Sequence, residues 1–151
     1  MTTYDRYYKC IVRSVDHIFK SFFNDPSIAE VYEIQARNKF HNVSIELDGT
    51  LCGELIIRLP NQTLNSFIKK LVPGVESRSL RKYQADVAGE VANLITSSFV
   101  NQLQFINHSI ILSPPDFNDD PIQLKTLYEN INVSFSSDLG GFDVDLYYKR
   151  G

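Results

Sequence analysis

Tryptophan is absent from this 151-residue sequence, methionine occurs once and cysteine twice. Cys10 and Cys52 lie far apart among apolar neighbours, which excludes a disulfide framework and leaves buried free thiols as the expectation. No apolar run is long enough to span a bilayer. The start, Met1-Thr2-Thr3-Tyr4-Asp5-Arg6, lacks the apolar core of a signal peptide, so the expected compartment is the cytoplasm. The Asn-x-Ser/Thr triplets at Asn42, Asn61, Asn107 and Asn132 then carry no meaning for glycosylation. Basic runs are missing and the net charge is −3, which argues against nucleic acid or an anionic membrane as partner. His17, His41 and His108 are scattered without metal-ligand spacing and read as structural or surface residues. Asp116, Asp119 and Asp120 lack the ligand order of an EF-hand and read as a solvated loop. No phosphate-cradling glycine loop, nucleophile elbow or Cys/His catalytic spacing occurs. With no Gly/Ser linker and no low-complexity segment, residues 1–151 are expected to form a single domain.

What is present is an ordinary globular composition, 43% hydrophobic and 22% charged. A chain of this length buries roughly two-thirds of its unfolded surface. Tyr8, Ile11, Val12, Val15, Ile18, Phe19, Phe22 and Phe23 recur at helical spacing, and Asn24-Asp25-Pro26 ends that first helix. Strands are expected over Val31–Ala36, around Val43–Leu47 and over Leu51–Leu59, with a hairpin turn at Asp48-Gly49. A second helix, capped by Asn61 or Thr63, carries Leu64, Phe67, Ile68 and Leu71 and closes at Pro73-Gly74. The longest helix runs from about Ser79 to Phe105. A strand over Ser109–Leu112 follows, then an acidic loop from Asp116 to Pro121. Two strands close the chain, Lys125–Phe135 and Phe142–Tyr148, turning at Leu139-Gly140-Gly141. The expected fold is α+β, an antiparallel sheet of about six strands with three helices packed on one face.

The long helix contains Asp86-Val87-Ala88-Gly89-Glu90-Val91-Ala92-Asn93-Leu94-Ile95. At about 100° per residue, Val87, Ala88, Val91, Leu94, Ile95 and Phe99 share the arc that faces the core. Asp86, Glu90, Asn93 and Ser97 fall on the opposite arc. Glu90 and Asn93, three apart, project side by side. Gly89 lies near them, where its missing side chain admits a close neighbour at a cost of about 1 kcal/mol relative to alanine. Tyr7, Tyr83 and Tyr128 are further contact candidates.

The pattern Asp86-x-x-Gly-Glu-x-x-Asn93 resembles the Glu-x-x-Asn signature of the CheC/CheX/FliY chemotaxis phosphatases. The likeness extends along roughly residues 5–149. It takes in Asp48-Gly49 with Gly53, the strand ending at Leu59-Pro60, Ser113-Pro114-Pro115, and the closing hairpin from Val133-x-Phe135 through Leu139-Gly140 to Phe142. CheC-type proteins carry a second Glu-x-x-Asn on the first helix. Here that stretch reads Cys10-Ile11-Val12-Arg13-Ser14-Val15-Asp16-His17-Ile18-Phe19, so the resemblance is to CheX. Where relatives often carry a Gly-Asn pair, this chain has Thr96-Ser97-Ser98.

The resemblance implies a phosphatase acting on the phospho-aspartate of a CheY-type response regulator. Asn93 would orient the attacking water and Glu90 would pair with the regulator's lysine, while Asp86, Gly89 and Ser97 contact the partner. It implies no metal or cofactor of the chain's own, Mg²⁺ sitting in the regulator's site, and a homodimer formed through the sheets. Two alternatives stay open: a non-catalytic module that binds a response regulator or flagellar-switch partner, and a purely structural subunit.

Overall fold

The computed structural model describes residues 1–34, 39–103, 109–120 and 127–149. The first apolar stripe lies on α1 (Thr3–Ser21), which buries Ile11, Val15 and Phe19 completely. Thr2 caps this helix: its hydroxyl accepts from the Asp5 amide at 3.1 Å while the Asp5 carboxylate turns back to the Thr2 backbone, a reciprocal capping box. Phe22 falls off the stripe and is 40% exposed. The remaining elements are β1 (Ala29–Val31), β2 (Phe40–Gly49), β3 (Gly53–Pro60), α2 (Asn61–Leu71), a 3-10 turn at Ser77–Ser79, α3 (Leu80–Leu103), β4 (Ile110–Leu112), β5 (Asp116–Asn118), β6 (Tyr128–Ser136) and β7 (Phe142–Lys149).

All strand pairs are antiparallel, in the order β1-β6-β7-β3-β2-β4, with β5 also paired to β2. The register explains how one face becomes the core. Val43 lies opposite Ile57, Ile57 opposite Val144 and Val144 opposite Val133, a row of β-branched residues across four strands. One residue along, Asn42, Arg58, Asp143 and Ser134 form the matching row. Side chains alternate across a sheet, so the first row faces the helices and the second faces away. The helices close over the apolar face. Phe19 stacks on Phe142 at 5.3 Å between centroids, Phe23 meets Phe67 at 4.9 Å, and Phe135 stacks on Phe142 at 5.4 Å. Among the described residues, no helix is long and apolar enough to cross a membrane.

Several elements differ from expectation for physical reasons. The strand expected over Val31–Ala36 is instead Ala29–Val31, and residues 35–38 lie outside the described residues. Asp25 accepts from the Ser27 amide, and the Ser27 hydroxyl accepts from the Asp138 amide at 2.8 Å. That turn brings the chain beside β6 earlier than the apolar pattern suggests. The β2–β3 hairpin closes at Leu47 and Gly53, a wider loop than a turn centred on Asp48-Gly49. Gly49 has φ +137°, and a Cβ there would fall 2.0 Å from the Ser109 carbonyl oxygen, so it serves the approach of β4 as much as the turn.

Neither Asn61 nor Thr63 caps α2; Pro60 occupies that position. Thr63 donates instead to the Gly141 carbonyl at 2.7 Å, and Asn61 bonds His41. The long helix ends at Leu103 within the described residues, and Phe105 lies outside them. The acidic stretch is not simply a solvated loop: Asp116–Asn118 is a strand, with Phe117 opposite Val43. Strand β6 begins at Tyr128; residues 125 and 126 lie outside the described residues, as do His108 and Pro121. Tyr7 is no surface contact. It is 7% exposed and packs edge-on to Tyr148 at 5.1 Å. Both cysteines are free, Cys10 buried and Cys52 half-buried. Burial pushes the Cys10 thiol up, which keeps it protonated and inert.

Candidate functional site

Helix α3 is held on three sides. Its core arc buries Val87, Ala88, Val91, Ala92, Ile95, Thr96, Phe99, Val100 and Leu103, while Leu94 is half-buried. Near its C-terminus the Gln102 amide donates to the buried Ser14 hydroxyl of α1 at 2.7 Å, and Phe99 meets Tyr7 at 6.0 Å. Near its N-terminus the Gln84 amide donates to Asn61 Oδ1 at 3.0 Å and Asn65 Oδ1 at 3.3 Å, both on α2. On its flank, Pro115 comes up against Gly89.

What remains outward is the arc the wheel identified. Asp86, Glu90, Asn93 and Ser97 are all exposed, at successive three- and four-residue steps along one line, with Gly89 half-buried at its edge. Among the described residues, neither Glu90 nor Asn93 takes a hydrogen bond or ion pair from another side chain. A carboxylate and a carboxamide therefore stand next to each other with their polar ends unengaged. The carboxamide offers both a donor and an acceptor, and the carboxylate offers acceptors only. The pair can receive a cation and orient a water. The helix supplies no nucleophile paired with a base. Among the described residues, no group of three or more His, Cys, Asp or Glu side chains is arranged to hold a metal ion.

Of the Thr96-Ser97-Ser98 stretch, Thr96 is fully buried and Ser98 half-buried. Only Ser97 stands on the outward arc.

A second polar cluster, centred on His41, joins residues far apart in the sequence. His41 is 4% exposed, with Nδ1 2.6 Å from Asp119 Oδ1 and Nε2 2.8 Å from Asn61 Oδ1. Its ring stacks on Phe117 at 5.3 Å, and Lys39 reaches the other Asp119 oxygen at 2.8 Å. Hydrogen bonds from Lys39 and then His41 hold the Asp119 carboxyl below the usual range. This cluster fastens β5 to β2 and, through Asn61 and Gln84, to both α2 and α3. The sequence signal for it is period two: His41 continues the inward positions of Val43 and Ile45, and in the ladder it lies opposite Leu59.

No protein-family model and no curated protein sequence matches this chain. Solved structures do. CheX from Borrelia burgdorferi, solved as a CheX-CheY-BeF3-Mg²⁺ complex, superposes with a TM-score of 0.79 over 95% of this chain and 98% of its own, at 20% identity. The fold is that of the CheX chemotaxis proteins. CheX from Desulfovibrio desulfuricans gives a TM-score of 0.78 over 95% of this chain and 99% of its own, at 15% identity. FliY from Thermotoga maritima gives 0.65 over 99% and 91%, at 15% identity. The CheX-like fold thus accounts for the three helices and the open antiparallel sheet, and the expected architecture is the observed one.

Proposed function

We propose that this CheX-like chain is a single-domain, cytoplasmic chemotaxis protein that docks a CheY-type response regulator on α3 and dephosphorylates it. The observation that carries the reading is the outward pair Glu90 and Asn93, unengaged among the described residues, on a helix anchored to α1 and α2. Its support is the CheX-like fold, one example of which was solved with CheY, beryllium fluoride and Mg²⁺.

The substrate's phospho-aspartate is an acyl phosphate. Hydrolysis forms a new P–O bond from water, breaks the bond between phosphorus and the aspartyl oxygen, and releases phosphate and a free carboxylate. Phosphoryl transfer of this kind depends chiefly on in-line positioning and charge stabilisation. Asn93 holds the attacking water with its carboxamide, adding no negative charge beside the phosphoryl group. Glu90 pairs with the regulator's lysine and fixes the register of the two proteins. Asp86 and Ser97 extend the contact along the same arc. Mg²⁺ belongs to the regulator's pocket, and this chain brings no cofactor of its own. Self-association through the sheet completes the reading, and light scattering at micromolar concentration tests it; a monomer overturns that part.

Phosphate release from a CheY-type regulator charged by a small-molecule phosphodonor decides the reading. Wild-type protein accelerates release, and Asn93→Ala abolishes the acceleration while still docking. Near-normal turnover by that variant would sink the mechanism. The second reading, docking without hydrolysis, is favoured by Ser97 on the arc in place of the Gly-Asn pair common in relatives. It predicts binding of the regulator with no acceleration by wild type.

A further inference from the structure

A glycine inside a long helix is unfavourable, and the usual structural reasons for one are crowding by a neighbouring element or a strained backbone. Neither applies to Gly89. It sits within the regular helix α3, and its φ does not lie in the left-handed region, unlike those of Gly49, Gly74 and Gly140. A Cβ built on Gly89 meets only Pro115, whose Cβ and Cγ would each lie 3.6 Å away. That is ordinary van der Waals contact, so an alanine would fit the space and improve the packing. Within the described chain, nothing gains from the missing methyl.

The position of Gly89 supplies the reason. It lies one turn before Asn93, and side chains four apart on a helix stand about 5–6 Å from each other at Cβ. Because Cβ atoms tilt toward the helix N-terminus, a side chain at 89 would occupy the surface immediately N-terminal to the Asn93 carboxamide. Asparagine is short, with a single methylene between backbone and amide. To place that amide inside a partner's pocket, the backbone of α3 must itself come close to the partner's surface. A side chain at 89 would act as a spacer holding the two apart.

We infer that Gly89 is the point of closest approach between α3 and the partner, a notch bounded by the Pro115 ring, which receives the rim of the regulator's phospho-acceptor pocket. This inference rests on the docking reading above and adds the residue that sets how deeply Asn93 inserts. Gly89 is a positioning residue, since it touches the partner's rim and acts on the reaction through Asn93. Tilting α3 away by a fraction of a methyl's width displaces the water Asn93 holds, and misplacements of about 1 Å cost on the order of a hundredfold in rate.

The test compares wild type, Gly89→Ala and Gly89→Gln in three measurements: thermal unfolding, affinity for a CheY-type regulator loaded with beryllofluoride and Mg²⁺, and phosphate release from the phosphorylated regulator. Gly89→Ala is expected to raise Tm by about 2–4 °C while weakening affinity and slowing release by roughly ten- to a hundredfold. Gly89→Gln, longer and flexible, deepens both functional losses with a folded spectrum retained. A purely structural role would move stability and function in the same direction. Wild-type affinity and turnover in Gly89→Ala would overturn the inference. If wild type binds the regulator without accelerating release, the phosphatase reading fails, and the affinity of Gly89→Ala alone then decides this one. If wild type does not bind, both fall.

Discussion

Asn61 Oδ1 lies 2.8 Å from His41 Nε2 and accepts from Gln84 Nε2 at 3.0 Å. The first residue of α2 thereby joins a buried strand histidine to the helix that carries Glu90 and Asn93. Replacing His41 by Phe keeps the ring stack on Phe117 but removes the bonds to both Asp119 and Asn61. The expected loss is about 1–3 kcal/mol of stability, read from the denaturant midpoint. An unchanged midpoint would show that the network contributes nothing net.

The same cluster has an acid limb. The Asp119 carboxyl is depressed in the native state, by the Lys39 bond first and the His41 bond second. Its contribution is therefore fully present above the unfolded carboxylate range, about 3.9, and disappears as pH falls through the lower native value. Asp119→Asn is expected to flatten the acid side of the stability–pH curve. An acid limb identical to wild type removes Asp119 from this role.

Asp145 has the opposite sign. Burial raises its pKa, only partly countered by the Asn132 amide that donates to it at 2.8 Å. The native state then holds this proton more tightly than the unfolded chain, so stability falls as pH rises through the raised value. Asp145→Asn keeps an oxygen for Asn132 and removes the buried charge. It is expected to be more stable than wild type at pH 7, the difference closing as pH falls and vanishing below about 3.9. A variant less stable than wild type at neutral pH contradicts this account.

Glu90→Gln separates charge from shape on the docking arc. Losing a charge-assisted contact of about 1.5 kcal/mol weakens regulator binding by roughly tenfold and lowers its dependence on salt. The exposed position predicts an unchanged Tm. Equal salt slopes for variant and wild type would remove the ion pair assigned to Glu90.

The legible parts of this fold were those written in periodicity. The wheel separated Val87, Val91 and Ile95 from Asp86, Glu90 and Asn93 because a long helix repeats its signal over many turns. Strand β5 reads as loop in the sequence, since three residues are too few to show an alternation and Asp116-Phe117-Asn118 sits among turn formers. Asn61 or Thr63 reads as the cap because either type suits a helix start. Partners far along the chain, His41 and Gly141, outcompeted that local use. Gly89 and Pro115 are neighbours whose proximity no local pattern encodes.

Strands β4 and β5 both pair with β2, on Leu47–Gly49 and Asn42–Ser44 respectively. Between them the ladder is carried by Ser113, whose amide donates to the Glu46 carbonyl at 3.0 Å and whose hydroxyl accepts from the Glu46 amide at 2.8 Å. Pro114 and Pro115 follow and bring no amide hydrogen. Among the described residues, the outer border of the sheet is thus two three-residue pieces with two prolines between them, too short and too broken to template another chain. The break that brings Pro115 to Gly89 also guards this margin against runaway strand addition. Under the proposed self-association through the sheets, two copies would meet at the opposite margin, by β1 and β6, or across the polar face.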